Sequence, residues 1–432
     1  MDQSFSASPV MNIMSLNTAS NSASSGGAER TMETLLRTFK ASGHVVAALG
    51  TCAQPGLHRI DEGEITQWRA GISNLYWPRM DEAHPWPMRG LWHLLDIYNS
   101  KMQRPLGQVL AAVRPDVVFV HNLPGWSIAA IPLIRNRNIP VIQILHDHYN
   151  ICPNSTMSRA GKNCARQCGS CRIMRTPHRK ITNRVNAVVG VSQYILDQHL
   201  ACGAYADVPI KRVINNVRSA AMLGLADSAE LRRKAAASRR PGTIRFGFIG
   251  GLTPEKGIEL LLEVFTAWNN PDAELWVAGT GKPDLVTRLT ARYAAPRIKF
   301  LGTTEPKDFF TAIDVTIVPS LWQEPFAGVV AESFAFGVPV IAAKRGGLPD
   351  MVSNNETGLL FEPNEPGALL AAMTQYAASP NFTAKLAQNA LAASPRFLDT
   401  AGWNAAYRDL IDEVMEDSKS VPVAAGWRHA SL

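Results

Sequence analysis

Glu324 and Glu332 stand with seven residues between them in the run Pro319-Ser320-Leu321-Trp322-Gln323-Glu324-Pro325-Phe326-Ala327-Gly328-Val329-Val330-Ala331-Glu332. Proline suits the first turn of a helix, where its missing N–H would have been unpaired, so the run predicts a helix starting near Phe326 with Glu324 just ahead of it. The free N–H groups of Phe326, Ala327, Gly328 and Val329 would then carry the positive end of the helix dipole, an arrangement that suits phosphate. Carboxylates beside a bound phosphate repel it, so the two glutamates are better aimed at neutral hydroxyls. A diphosphate flanked by two polyols is a nucleotide-sugar, with one glutamate for the ribose diol and the other for a hexose. The competing reading is two solvated glutamates on a surface helix.

A second phosphate-binding pattern lies upstream. Ile244 to Ile249 reads as a buried strand, Gly250-Gly251-Leu252-Thr253-Pro254-Glu255-Lys256-Gly257 follows, and an apolar-periodic helix runs from Ile258 to Phe265. Strand, glycine-rich turn and helix start form a cradle in which Lys256 supplies a point charge.

Together these segments resemble the retaining glycosyltransferases of family 4. The resemblance continues through Leu275-Trp-Val-Ala-Gly279-Thr-Gly281, Ile298-Lys-Phe-Leu-Gly302, Asp314-Val-Thr-Ile-Val-Pro319-Ser320, Gly337-Val-Pro339 and Gly346-Gly347, densely over residues 243–377 and thinly in the N-terminal half. It implies an α/β chain of GT-B fold, two Rossmann-like doubly wound domains facing each other across a cleft. By the same resemblance Glu332 is expected on the ribose and Glu324 on the hexose. His146, in Leu145-His146-Asp147-His148-Tyr149, resembles the family's cleft histidine near the donor sugar and phosphate. A structural histidine bonded to the next loop is the alternative. Catalytic roles are thus expected of His146, Lys256 and Glu324, with no covalent nucleophile and no catalytic metal. Gly251 departs from the pattern, since such enzymes often carry there an Arg that clamps the diphosphate. Lys256 and backbone amides, or an Arg from elsewhere, must compensate.

These residues need elements to position them. In the first half, Met11–Leu16, His44–Leu49, Asp116–His121, Pro140–Leu145 and Ala187–Ser192 are short and apolar, as buried parallel strands are, with helical patterns between most of them. That alternation predicts a doubly wound sheet whose ligands lie beyond the carboxyl ends of its strands. Gly26 and Gly27, in a turn opening a helix over Thr31–Lys40, leave room for a donor phosphate or an acceptor to approach the backbone. An ordinary turn after a Ser/Asn-rich loop is the alternative. The expected division is a disordered extension 1–10, an acceptor-binding domain 11–217 ending at the turn Asn215-Asn216-Val217, and a linker 218–242. A nucleotide-sugar domain 243–400, a terminal helix 401–416 returning to the first domain and a tail 417–432 complete it.

Length and composition fit two or three soluble domains: 432 residues, 46% hydrophobic. No stretch approaches the ~18 apolar residues of a membrane-spanning helix, and Met1 to Pro9 lacks the basic and apolar regions of a signal peptide. A cytoplasmic protein is expected. Charge is uneven, with 22 Lys+Arg against 13 Asp+Glu in residues 1–215 (net +9) and 21 against 23 in the remainder (net −2). A basic half beside a nucleotide-sugar half suits an anionic acceptor or the anionic inner face of a membrane, where each nearby cation contributes about 1 kcal/mol. Leu75 to Arg79 and Trp86 to Tyr98 interleave Trp and Arg as interfacial segments do. Aromatics packed into a core with solvated arginines explain them equally well. No basic helix or single-strand-binding motif points to nucleic acid.

Cys152, Cys164, Cys168 and Cys171 have spacings of x11, x3 and x2. In a reducing compartment two readings stay open, a structural Zn²⁺ held by four thiolates, ordering a loop over the cleft, or four free thiols.

The expectation is a retaining transferase moving a hexose from a nucleoside-diphosphate sugar to a hydroxyl of a glycan or lipid-linked acceptor, in cell-surface polysaccharide or glycolipid assembly. A sugar-nucleotide epimerase of the same fold would need no acceptor. A catalytically silent nucleotide-sugar-binding protein would turn nothing over.

Overall fold

A computed structural model describes residues 9–19, 26–61, 63–77, 84–159, 161–237 and 240–420. Most of the expected extension, the Ser/Asn-rich loop at 20–25, Arg79, part of the linker and most of the tail lie outside the described residues. Strands β1 (Asn12–Leu16), β2 (Val45–Cys52), β3 (Leu57–Ile60), β4 (Thr66–Gly71), β5 (Val117–Val120) and β6 (Val141–Leu145) are followed by a small hairpin of β7 (Ser158–Arg159) and β8 (Lys162–Asn163). Then come β9 (Ala187–Gly190) and β10 (Ile210–Val213). The first sheet has the order β10-β9-β6-β5-β1-β2-β4-β3, parallel throughout except for the β3–β4 pair. Strands β5, β6 and β9 are buried along their whole length, which is why they read as continuous apolar runs rather than alternating ones.

The second sheet holds β11 (Ile244–Ile249), β12 (Ala273–Ala278), β13 (Ile298–Gly302), β14 (Val315–Val318), β15 (Val340–Ala343) and β16 (Gly358–Phe361). Its order, β13-β12-β11-β14-β15-β16, is the doubly wound one, with the chain reversing direction across the sheet between β11 and β14. Ligands of such sheets bind outside the carboxyl ends of the strands at that reversal. Gly250-Gly251 follows β11 and Pro319-Ser320 follows β14, so the topology delivers the two sequence motifs to one place.

Between the sheets, the segment expected as a linker carries helices Ala220–Leu223 and Ser228–Ala237. Arg232 Nη2 donates to the Phe336 carbonyl, which ties this segment to the second half. Helix Thr400–Ser420 crosses back onto the first half, burying Trp403, Tyr407, Leu410, Ile411 and Val414 in its core. Each such side chain contributes roughly 1.5–3 kcal/mol when fully buried. Arg212 Nη2 meets Glu413 at 2.8 Å on the same helix.

The halves also touch directly. Asn163 Nδ2 donates to the Leu321 carbonyl at 2.6 Å, and the Tyr194 N–H donates to Asp350 Oδ2 at 3.3 Å. Phe326 packs against both hydrophobic cores. Among the described residues no helix is long and apolar enough to cross a membrane.

Candidate functional site

Lys256 ends a single 3-10 turn, Pro254–Lys256, after β11. The next residue, Gly257, has φ +73°, and a Cβ there would fall 1.9 Å from the Pro319 carbonyl oxygen. Only glycine lets this turn lie directly on the chain leaving β14. The Glu255 carbonyl accepts from the N–H of Leu321 at 2.8 Å, which stitches the turn to the loop carrying Glu324. As a result Lys256 Nζ lies 2.8 Å from both carboxylate oxygens of Glu324. Trp322 Nε1 donates to Glu324 Oε2 at 2.7 Å and Ser320 Oγ at 3.3 Å. Glu324 is only 5% exposed. A carboxylate this deep is sustained by those charge-assisted bonds. Behind it, the Gly347 N–H donates to the Glu324 carbonyl at 2.7 Å, and Gly346 N–H to Gln323 Oε1 at 2.6 Å.

The helix after Glu324 runs over Gly328–Ala335, with Ala327 as an extended N-cap. The expected start near Phe326 is therefore two residues early. The Gly347 bond holds Glu324 in the loop, and Pro325 and Phe326 lie in that loop rather than in the first helical turn. Glu332 sits in the second turn, buried, where Arg218 Nε donates to its Oε1 at 2.8 Å and Arg30 Nη1 stands 3.9 Å away. Arg30 belongs to helix Gly27–Ala41, which starts four residues before the expected Thr31, with Gly26 as its N-cap. The Arg30 contact brings the Gly26-Gly27 turn to face the second-domain helix across the cleft. Gly26 has φ −81°, and a Cβ on Gly27 would meet nothing within 4 Å. The backbone does not require glycine there, so what the pair provides is space. Gly251 is similarly open, a Cβ meeting only Thr253 Cγ2 at 3.7 Å.

His121 follows β5 and His146 follows β6, adjacent strands of the first sheet. Their rings stack at 5.2 Å, with His121 Nδ1 2.9 Å from His146 Nε2. Burial pushes His146 down to about 3, and burial together with His146 holds His121 well below the usual imidazole range. Both rings are neutral at physiological pH, so the pair can donate and accept hydrogen bonds but holds no charge. The strand pattern placed His121 at the end of Asp116–His121 without a role, and the structure makes it the partner of His146. Asp147, beside them, is pushed up to about 7 by burial.

The four cysteines of the proposed zinc set are free thiols packed near one another. Cys152 is drawn down to about 6, chiefly by a hydrogen bond from Cys171, whose own thiol is raised by that bond. Cys168 is lowered by Ser170 and Cys171, and Cys164 is raised by burial and by the charges of Cys168 and Cys152. Among the described residues no three His, Cys, Asp or Glu groups are gathered closely enough to hold a metal ion. Zinc would require these sulfurs to close in.

Sequence reasoning missed Arg218, Arg30, Ser320 and Trp322. The one available signal was the missing Arg at 251, which called for another cation. Arg218 directly follows the Asn215-Asn216-Val217 turn.

Comparison with known proteins agrees with this architecture. The family model for glycosyl transferase 4-like domains matches residues 26–215, and that for glycosyl transferases group 1 matches 231–392. A 42.6 kDa protein in the cps region of Klebsiella pneumoniae is 27% identical over 348 residues, covering 79% of this chain and 87% of that protein. The D-inositol 3-phosphate glycosyltransferase of Corynebacterium glutamicum is 38% identical over 134 residues, 28% of this chain and 32% of that enzyme. Among solved structures, sucrose-phosphate synthase from Thermosynechococcus elongatus superposes with TM-score 0.73 at 18% identity, over 94% of this chain and all (100%) of that one. The Anabaena protein HepE in complex with UDP-glucose superposes with TM-score 0.65 at 19% identity, over 93% and 100%. With both halves matched by family models and both sheets matched by these folds, the chain belongs to the group 1 glycosyl transferases of GT-B fold.

Proposed function

We propose that this protein is a retaining hexosyltransferase that takes its sugar from a nucleoside diphosphate. The observation that carries the reading is the Lys256–Glu324 pair at the switch point of the second sheet, with Glu332 buried in the helix that follows. A donor laid across this point would meet Glu332 with its ribose, the amides of Ala327, Gly328 and Val329 and the Lys256 ammonium with its diphosphate, and Glu324 with its hexose. The bond from the anomeric carbon to the leaving phosphate oxygen breaks as Lys256 and the amides take up the growing negative charge. The acceptor oxygen bonds to the same face of that carbon, and its proton passes to the leaving phosphate. His146, neutral and paired with His121, serves as a hydrogen-bonding group to the sugar rather than as a charged acid. No catalytic metal enters this scheme.

Support for a polysaccharide or glycolipid role comes from the Klebsiella relative in a cps region, and support for a uridine nucleotide from the UDP-glucose complex of HepE. An anionic membrane surface as the acceptor's setting, on the cytoplasmic side, is supported by helix Trp86–Leu95. Trp86, Met88, Leu91, Leu94 and Leu95 are exposed there beside Arg89, with no acidic residue in the helix. Cys152, Cys164, Cys168 and Cys171 are retained as a proposed structural zinc set on their spacing in the sequence, with the sulfurs closing in when the metal binds.

Calorimetry with UDP, GDP and ADP, then with their sugars, tests the donor class, and NMR of the product's anomeric proton tests retention. Failure of every nucleoside diphosphate to bind, or an inverted product, would overturn the corresponding part.

A further inference from the structure

Lys256 is held by Glu324 through both carboxylate oxygens, and position 251 carries no side chain, so a diphosphate at this site lacks one of the cations its charge calls for. The guanidinium of Arg218 stands over the start of the helix that follows Glu324. Its backbone N–H donates to the Phe397 carbonyl at 2.8 Å, which fixes the residue where the chain passes from one half to the other. Nε donates to Glu332 at 2.8 Å and Nη1 to the Val217 carbonyl at 3.1 Å. The side chain is 15% exposed. Nη2 makes no hydrogen bond among the described residues. It lies over Gly328, so close that a Cβ on that residue would be 1.7 Å from it.

A guanidinium is thus packed against the first residue of a helix, where the dipole is already positive. Glu332 accounts for one side of the cation. The Nη2 side, over Gly328 at the start of that helix, is left for an anion. Gly328 is the residue type that permits this approach.

We propose that Arg218 is a diphosphate-binding residue of the donor site, taking with Nη2 the contact that Gly251 cannot make while its Nε orients Glu332. This rests on the nucleotide-sugar reading above. Arginine suits the double task because its planar fork can bond a carboxylate and a phosphate oxygen together, which an ammonium does less well.

The test compares, by calorimetry, the nucleoside diphosphate that wild type binds best with its parent nucleoside, in wild type, Arg218→Ala, Arg218→Lys and Gly328→Ala, with thermal melts as a check on folding. Loss of a charge-assisted bond predicts that Arg218→Ala weakens the diphosphate about 10- to 150-fold. The diphosphate should lose at least about tenfold more than the nucleoside, because only it contacts Nη2. Arg218→Lys should recover part of the diphosphate affinity, and Gly328→Ala, which pushes the guanidinium away, should mimic Arg218→Ala. Equal losses for nucleoside and diphosphate in both alanine variants would mean that Arg218 acts only by holding Glu332, and would overturn the inference. Wild type binding no nucleoside diphosphate would instead overturn the donor reading on which it rests.

Discussion

Lys256 Nζ bonds both carboxylate oxygens of Glu324 at 2.8 Å, so the cation expected on phosphate and the carboxylate expected on sugar hydroxyls are each other's partner. The ion pair joins the turn after β11 to the loop after β14. In the donor reading proposed above, a nucleotide-sugar spanning the switch point would meet groups already oriented by this bond, the preorganisation that electrostatic catalysis requires.

Lys256→Ala is therefore expected to slow transfer about 100- to 1000-fold, a loss of about 3–4 kcal/mol in the barrier. The fold should persist, since the Lys256 side chain is 35% exposed and Trp322 and Ser320 still bond Glu324. Steady-state turnover alongside a melting curve checks both parts. Wild-type turnover in a folded variant would remove Lys256 from the phosphate site.

Gly257→Ala tests how that lysine is placed. An L-residue in the left-handed region costs about 1–2 kcal/mol, and here its Cβ would also meet the Pro319 carbonyl at 1.9 Å. The turn must shift off the chain after β14, taking Lys256 with it. Both a lower denaturation midpoint and a loss of turnover larger than the stability change explains are expected. An unchanged midpoint would contradict the close approach.

Much of this was legible in the sequence, for reasons that also say where it stopped. Ile244–Ile249 is a strand with the expected bounds because a central parallel strand is buried on both faces, its one charged residue, Arg245, being paired with Glu274. The turn at 250–257 was legible because Gly250 and Gly257 take positive φ there, whereas Gly26, Gly27 and Gly251 stand where the backbone would accept a side chain. The helix start was misplaced because Pro325 carries the same local signal in a loop as in a first turn, and what decides between them is a bond from Gly347, far along the chain. Arg218 was invisible for the same reason: its partner Glu332 is 114 residues away. The helices at 220–237 lie in an Ala/Ser/Arg-rich stretch whose local pattern reads as a linker, and the Arg232 contact with Phe336 becomes visible only in three dimensions.

The two glutamates should separate by ligand. Glu332→Gln is expected to weaken the bare nucleoside diphosphate and the nucleotide-sugar alike, by about 1.5–3 kcal/mol, because both contain the ribose. Glu324→Gln should leave the bare nucleotide nearly unchanged and reduce the gain that the sugar brings. Calorimetry of both ligands on both variants measures this. Equal losses of bare-nucleotide affinity would contradict the division of roles.

Metal content separates the two readings of the cysteine cluster. The cysteine spacing predicts close to one zinc per chain in protein prepared without chelator, with Cys168→Ser lowering it, but the sulfurs must then close in and exchange the hydrogen bonds among Cys152, Cys168 and Cys171 for thiolate–metal bonds. Elemental analysis finding none in wild type would leave four free thiols.

Acid should destabilise the fold before its ordinary carboxylates titrate. Burial lowers His146 and His148 to about 3 and His93 and His199 to about 4, with His121 and His178 also held well down. Each is neutral when folded but takes a proton when unfolded below its ordinary value of 6.5. The unfolded state then binds more protons, and stability falls as pH drops through that value toward the folded one, by at most about 1.4 kcal/mol per pH unit for each group. Asp96 and Asp147, raised by burial to about 7, oppose this, because the folded state takes up their protons first as pH falls below 7. The lowered histidines outnumber the two aspartates, so the net expectation is a falling melting temperature between pH 6.5 and 5. Melts at pH 7, 6 and 5 at constant ionic strength check it, and His199→Asn should make the fall shallower whatever it does to the absolute stability. A flat or rising profile over that window would mean that these imidazoles are charged in the folded protein, and with it would go the neutral His121–His146 pair assigned to the cleft.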